Sequence, residues 1–212
     1  SLLPDNVKKS KMKKDIPAKI INILFHPILM PTIFMVVIYY NTIFSGIFTN
    51  SKSMMTLLPF VALTTVLIPL LCFFILSKTK FYAELKKQNY KWDSLFIICE
   101  AVIFCAIYKT FFNIDVPTII YRFFILNSIF LVVLSFISFF KKIDIHSVAW
   151  GELLGVYISL LHTNMTIKEV PLLVILLIIG IVGYARIKTD NTMTFKYIIG
   201  AIIGCLFTMT TF

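Results

Sequence analysis

From one end to the other, the chain alternates long apolar runs with short segments that hold nearly all of its charge. The runs are roughly 17 to 25 residues long, the length a helix needs to cross the hydrocarbon core of a bilayer at about 1.5 Å per residue. They are apolar all round and lack the two-residue alternation of a membrane β-strand, so the pattern predicts helices and excludes a barrel. Helices are expected over 18–40, 55–77, 93–112, 116–140, 145–162, 170–186 and 194–211. The fold class is therefore all-α, a polytopic transmembrane helix bundle of about seven (six to seven) spans. A basic segment at 1–17 precedes a single helical domain at 18–212, and the joining loops are too short for another. Pro27, Pro31, Pro59 and Pro69 lie inside the first two runs. Neighbouring helices can satisfy the carbonyls that a proline releases there, so kinks rather than breaks are expected.

Composition sharpens the picture. With 59% hydrophobic residues, 14% charged residues, 21 phenylalanines and a mean hydropathy of +0.92, the chain carries more apolar surface than a water-soluble core can hide. The stretch after the first lysines is too long for a cleavable signal and has no small-residue cleavage site, so it is expected to stay as a span. Basic residues fall unevenly between the loops. Lys8, Lys9, Lys11, Lys13, Lys14 and Lys19 lie ahead of the first span, and Lys78, Lys80, Lys86, Lys87 and Lys91 lie between the second and third. Lys141 and Lys142 follow the fourth span, and Arg186, Lys188 and Lys196 follow the sixth. Only Lys52, Lys168, Lys109 and Arg122 fall elsewhere, so the positive-inside bias predicts a cytoplasmic N-terminus and an outside C-terminus. The net charge of +10 is then a property of one membrane face, suited to anionic lipid headgroups. No basic soluble domain exists to bind nucleic acid.

Cys72, Cys99, Cys105 and Cys205 all fall inside predicted spans without metal-site spacing and read as packing residues; no metal or cofactor is expected. Six of the seven glycines (Gly151, Gly155, Gly180, Gly183, Gly200 and Gly204) lie in the last three spans, two pairs of them four residues apart. Such pairs let backbones approach closely, which points to tight packing inside the chain in preference to a homodimer seam. Polar residues at membrane depth are costly and mark candidate sites: His26, Glu100, Arg122, His146 and Glu152. Glu100 and Arg122, on consecutive spans, are expected to form a structural ion pair. His26 reads as a packing histidine. Glu152 lies six residues after His146, roughly on the opposite helix face, so the two need not share a site.

Three segments carry a family resemblance: FHPILMPT at 25–32, KIDIHSVAWGELLG at 142–155 and GYARIKTDNTMTFKYIIGAIIG at 183–204. In these and in the order of its loops the chain resembles the type 2 phosphatidic acid phosphatase (lipid phosphate phosphatase) superfamily, in particular its small membrane-bound branch in Bacteroidetes-type bacteria. The resemblance implies a bacterial inner (cytoplasmic) membrane location. It also implies three motifs: a Lys followed by Arg-Pro, a Pro-Ser-Gly-His, and a Ser-Arg followed by a His with an Asp partner. In that chemistry one histidine attacks phosphorus, a second protonates the leaving alcohol and basic residues hold the phosphate.

Carried onto this sequence, His146 matches the leaving-group acid and Arg186 the phosphate-binding arginine. In KKQNYKWDS at 86–94, Lys86, Lys87 and Lys91 stand for the basic first motif, which lacks its Arg-Pro. The remaining positions are degenerate: Asp144 replaces the second-motif Ser, Thr192 the nucleophilic His and Lys196 its carboxylate partner. Two spans separate each motif from the next, so all three loops are expected on one face. By charge that face is cytoplasmic, whereas the family commonly works outside.

The expectation is a catalytically degenerate relative, a lipid-headgroup-binding protein or a subunit of a membrane complex, with membrane lipids, anionic lipid phosphates among them, and protein subunits as partners. The alternative is an active phosphatase on a lipid phosphate or isoprenyl pyrophosphate, with a non-standard nucleophile; His162 is a poor choice for it, because it falls at the far end of the fifth span. A transporter, hinted at by Glu100, Arg122 and Glu152, is a third class, without an inverted repeat or broken-helix pair behind it.

Overall fold

The computed structural model describes residues 16–40, 51–79, 89–114, 116, 118–140, 143–162, 170–189 and 193–211. Among them helix falls in the seven stretches that the sequence predicts, to within four residues at each end, and there is no strand. The elements are α1 (Ile16–Leu24), a 3-10 turn (Pro27–Leu29), α2 (Met30–Tyr40), α3 (Ser51–Ala62), a π-helical segment (Leu63–Leu67) and α4 (Ile68–Ser77). They continue with α5 (Asn89–Phe112), α6 (Thr118–Phe140), α7 (Ile145–His162), α8 (Val170–Thr189) and α9 (Met193–Thr211). Four stretches are long and apolar enough to cross a membrane: Ile16–Ile38, Ser94–Phe112, Thr118–Phe140 and Leu172–Thr189. Two shorter apolar helices run over Thr56–Cys72 and Thr194–Thr210. Apolar residues lie outward in rows, Val132, Val133, Phe136 and Phe140 on α6 and Leu173, Val174, Leu177 and Ile181 on α8. Only 22% of the Leu172–Thr189 window is buried among the described residues, and an apolar surface so open suits contact with lipid. Among the described residues the fold is all helical, and the length and composition of its four long apolar helices are those of a membrane protein.

The prolines act unequally. The first predicted helix is broken, not merely kinked: Phe25 donates the last helical hydrogen bond of α1, to Ile21 O at 2.9 Å, and the backbone reforms as a 3-10 turn at Pro27. Pro27 and Pro31, four residues apart, each remove an N–H that a continuous helix would use, and two adjacent losses end the ladder. Pro31 then sits in the first turn of α2, where its missing donor costs nothing. In the second stretch the helix carries on past Pro59 and widens into the π turn of Leu63–Leu67 just ahead of Pro69. The Thr64 and Thr65 hydroxyls bond back to the carbonyls of Phe60 and Val61 at 2.8 Å. Side-chain donors thus supplement the ladder where proline thins it.

Two compact units make up the chain, one of Ser1–Pro27, Asp144–Leu160 and Glu169–Thr210, the other of Ile28–Ile143, Leu161–Lys168 and Thr211–Phe212. The second unit is organised by the antiparallel hairpin of α5 and α6. Ser94 and Ser135 face each other with hydroxyls 2.8 Å apart, and Ser128 donates to Ala101 O at 2.8 Å. These two rungs fix the register. Aromatic rings fill the same unit, with Phe34 stacked on Phe123 at 3.5 Å and Phe124 edge-on to Phe104 and Phe111.

In the first unit α7 is buried nearly all round and meets α9 through glycine. A Cβ at Gly151 would strike the Ala201 backbone, at Gly155 the Cys205 carbonyl and Thr208, and at Gly204 the Val148 carbonyl. Thr208 Oγ1 completes the seam by donating to Glu152 O at 3.0 Å. The paired glycines therefore serve packing within the chain. Gly180 stands apart with open space beside it.

Candidate functional site

The polar residues of the first unit converge where α7 begins. Asp144 immediately precedes α7, is fully buried, and receives Arg186 Nη2 on Oδ1 at 2.5 Å. Arg186 comes from the last turn of α8 and keeps its side chain 21% exposed. The two meet because the Asp144 backbone is held tightly: its carbonyl accepts from Val148 N at 3.3 Å and from Ser147 Oγ at 2.7 Å. Gly200 of α9 lies against Ser147 and the Asp144 carbonyl, where any side chain would push α9 away. The first-turn amides of α7 also favour a carboxylate at this end of the helix.

Beside the pair stand two histidines. The His146 ring lies 5.2 Å from that of His26, nearly perpendicular to it. His26 occupies the break after α1, and the same break presents the Phe25 carbonyl to Trp150 Nε1 at 3.3 Å. Phe25 and Trp150 also meet ring to ring at 5.7 Å. The bend that proline imposes thus supplies both a histidine and an acceptor. Tyr197 of α9 packs on Gly183 and donates to Ile179 O at 2.7 Å, anchoring α9 on α8 next to Arg186. Three buried atoms of this cluster have no protein partner among the described residues: Asp144 Oδ2, His146 Nδ1 and Arg186 Nε. They give the cluster hydrogen-bonding capacity beyond the single ion pair, enough for a water or a small polar group.

Of the residues singled out in the sequence, the structure brings together Asp144, His146, Arg186 and His26 in one unit. Lys196 lies half-buried near the start of α9. Glu152 lies half-buried, its backbone oxygen taken by Thr208. Lys86, Lys87 and Thr192 lie outside the described residues, as does the side chain of Lys91. His162, offered as a rescuing nucleophile, is exposed at the opposite end of α7 from His146, about 24 Å away along the axis, beyond reach of the same phosphorus. The ion pair expected between Glu100 and Arg122 does not form. Glu100 is buried and Arg122 is exposed, whereas Arg186 does pair with Asp144. The serine rungs explain this, because they set Arg122 level with Ile107, about 10 Å along the axis from Glu100.

The sequence reading missed the ion pair itself. Its signal was present: an acid and a base, each at the position of a motif expected on one face. Asn127, buried in α6 with neither carboxamide atom paired among the described residues, was also missed, because asparagine carries no charge to draw the eye. The His26 ring packs against that of His146. Among the described residues no group of three or more His, Cys, Asp or Glu side chains could hold a metal ion. No protein family, curated protein or solved structure matches the chain.

Proposed function

We propose that this is a catalytically degenerate relative of the lipid phosphate phosphatases, embedded in a bacterial cytoplasmic membrane by about seven spans with its N-terminus inside. In this reading it binds anionic lipid headgroups along its lysine-rich face and serves there as a membrane-complex subunit. The observation that carries the reading is the Arg186–Asp144 pair. Arg186 stands where such an enzyme needs a free cation for phosphate, and its guanidinium is already met by a buried carboxylate of the same chain. An incoming phosphate would have to expel Asp144 and leave that charge unpaired in a low-dielectric setting, a cost of several kcal/mol. Thr192, in the nucleophile's position, cannot form a phosphohistidine, and Lys196 cannot orient one. Lysine placement supports headgroup-facing helix ends in each unit taken by itself: Lys78 Nζ lies 4.3 Å over the Phe74 ring at the end of α4, and Lys188 Nζ lies 5.2 Å over Tyr184 at the end of α8. Long cations beside aromatic rings at helix ends are the usual anchors of a membrane interface.

The test is binding of a short-chain phosphatidic acid by the purified full-length chain and by Asp144→Ser. The serine variant frees Arg186 and is expected to bind at least roughly tenfold more tightly, a difference of about 1.4 kcal/mol. Equal affinity would mean that Asp144 does not occupy a phosphate position. The second reading, a working phosphatase, is favoured only by the nearness of His146 to Arg186 and His26. It requires a nucleophile other than His162.

A further inference from the structure

Two buried polar side chains of the second unit play no part in the reading above. Glu100, in the apolar Ser94–Phe112 stretch, is 8% exposed and makes no ion pair or hydrogen bond among the described residues. Asn127, in α6, is 1% exposed, and both atoms of its carboxamide lack a partner among the described residues.

Their relation follows from the serine rungs. Ser94 pairs with Ser135, and Ser128 with the Ala101 carbonyl, so Ala101 and Ser128 lie level across the hairpin. Glu100 immediately precedes the one and Asn127 the other. In an antiparallel pair, a step back of one residue turns each helix by about 100° toward the same side of the hairpin, and it separates the two residues by two rises, about 3 Å. The carboxylate and the carboxamide therefore enter one buried side at nearly one depth, without bonding to each other. The π turn of Leu63–Leu67 packs against α5 within this unit, and such turns recur at ligand sites.

A carboxylate at this depth must be neutralised. A cation seated between Glu100 and Asn127 draws on oxygens from each. Carboxylate and amide oxygens are hard donors that suit hard cations, and a single negative charge matches a single positive one. We propose that Glu100 and Asn127 form an intramembrane site for a sodium ion, with Glu100 supplying the charge and Asn127 Oδ1 a neutral oxygen.

The experiment is equilibrium binding of radioactive sodium to the full-length protein in detergent, with choline holding ionic strength constant, alongside Glu100→Gln and Asn127→Leu. Thermal unfolding of each protein in sodium and in choline is measured in parallel. Saturable sodium binding by the wild type is expected, lost in Glu100→Gln and weakened roughly tenfold or more in Asn127→Leu, with sodium raising the unfolding temperature of the wild type more than that of Asn127→Leu and leaving that of Glu100→Gln unchanged. Absence of saturable sodium binding by the wild type would overturn the proposal and leave Glu100 a protonated acid. So would retention of wild-type affinity in Asn127→Leu, a variant that keeps the chain's charge and so remains informative even where Glu100→Gln unfolds.

Discussion

Single residues divide into those whose role the sequence announces and those whose role depends on a partner. Gly151 belongs to the first kind, because small residues four apart in a span call for close packing, and the Ala201 backbone lies where its Cβ would be. Gly151→Ala should therefore lower stability by about 1–3 kcal/mol through overpacking. Gly180→Ala, with open space beside it, should be neutral or slightly stabilising through helix propensity. Thermal unfolding of the two variants in detergent checks the contrast. Trp150 belongs to the second kind, since nothing in the sequence says that its indole meets a carbonyl freed by a proline break. Trp150→Phe removes that donor while keeping a ring, and the expected loss is about 1 kcal/mol by the same measurement. Arg186 was legible as a cation of interest, but its state was not: a sequence does not show that Asp144, forty-two positions away, will reach it first.

At the scale of elements, the seven helical stretches among the described residues were legible because long apolar runs alternate with short polar segments, and four of the stretches are long and apolar enough to cross a bilayer. Boundaries shifted by a few residues because polar residues such as Asn89 extend a helix beyond its apolar part. Register was not legible. The runs of α5 and α6 are apolar all round and give no preferred face, so Glu100 and Arg122 looked like neighbours by proximity in the chain. Serine, a residue with little weight in a hydropathy profile, decides the alignment instead. A double-mutant cycle on Ser94→Ala and Ser135→Ala should return a coupling of about 0.6 kcal/mol, the usual worth of a polar contact between membrane helices. A coupling near zero would mean that aromatic packing alone fixes the register. Proline likewise acts by context: two prolines four apart end a helix, whereas Pro59 and Pro69, farther apart and backed by threonine hydroxyls, leave it continuous.

For the molecule as a whole, the membrane class was written in composition, whereas the candidate site depended on a few polar positions that only the fold brings together. Under the function proposed above, the pairing of Asp144 with Arg186 is a physical reason for lost catalysis, independent of whether Thr192 could be replaced by another nucleophile. The most direct test is phosphate release by the detergent-purified full-length protein from phosphatidic acid and from undecaprenyl pyrophosphate, with His146→Ala and Arg186→Ala run alongside. The account predicts no release above background from either substrate by any of the three proteins. Release by the wild type that is lost in both variants would contradict it, and would mean that Asp144 yields Arg186 to the phosphate and that a nucleophile other than the family histidine completes the reaction.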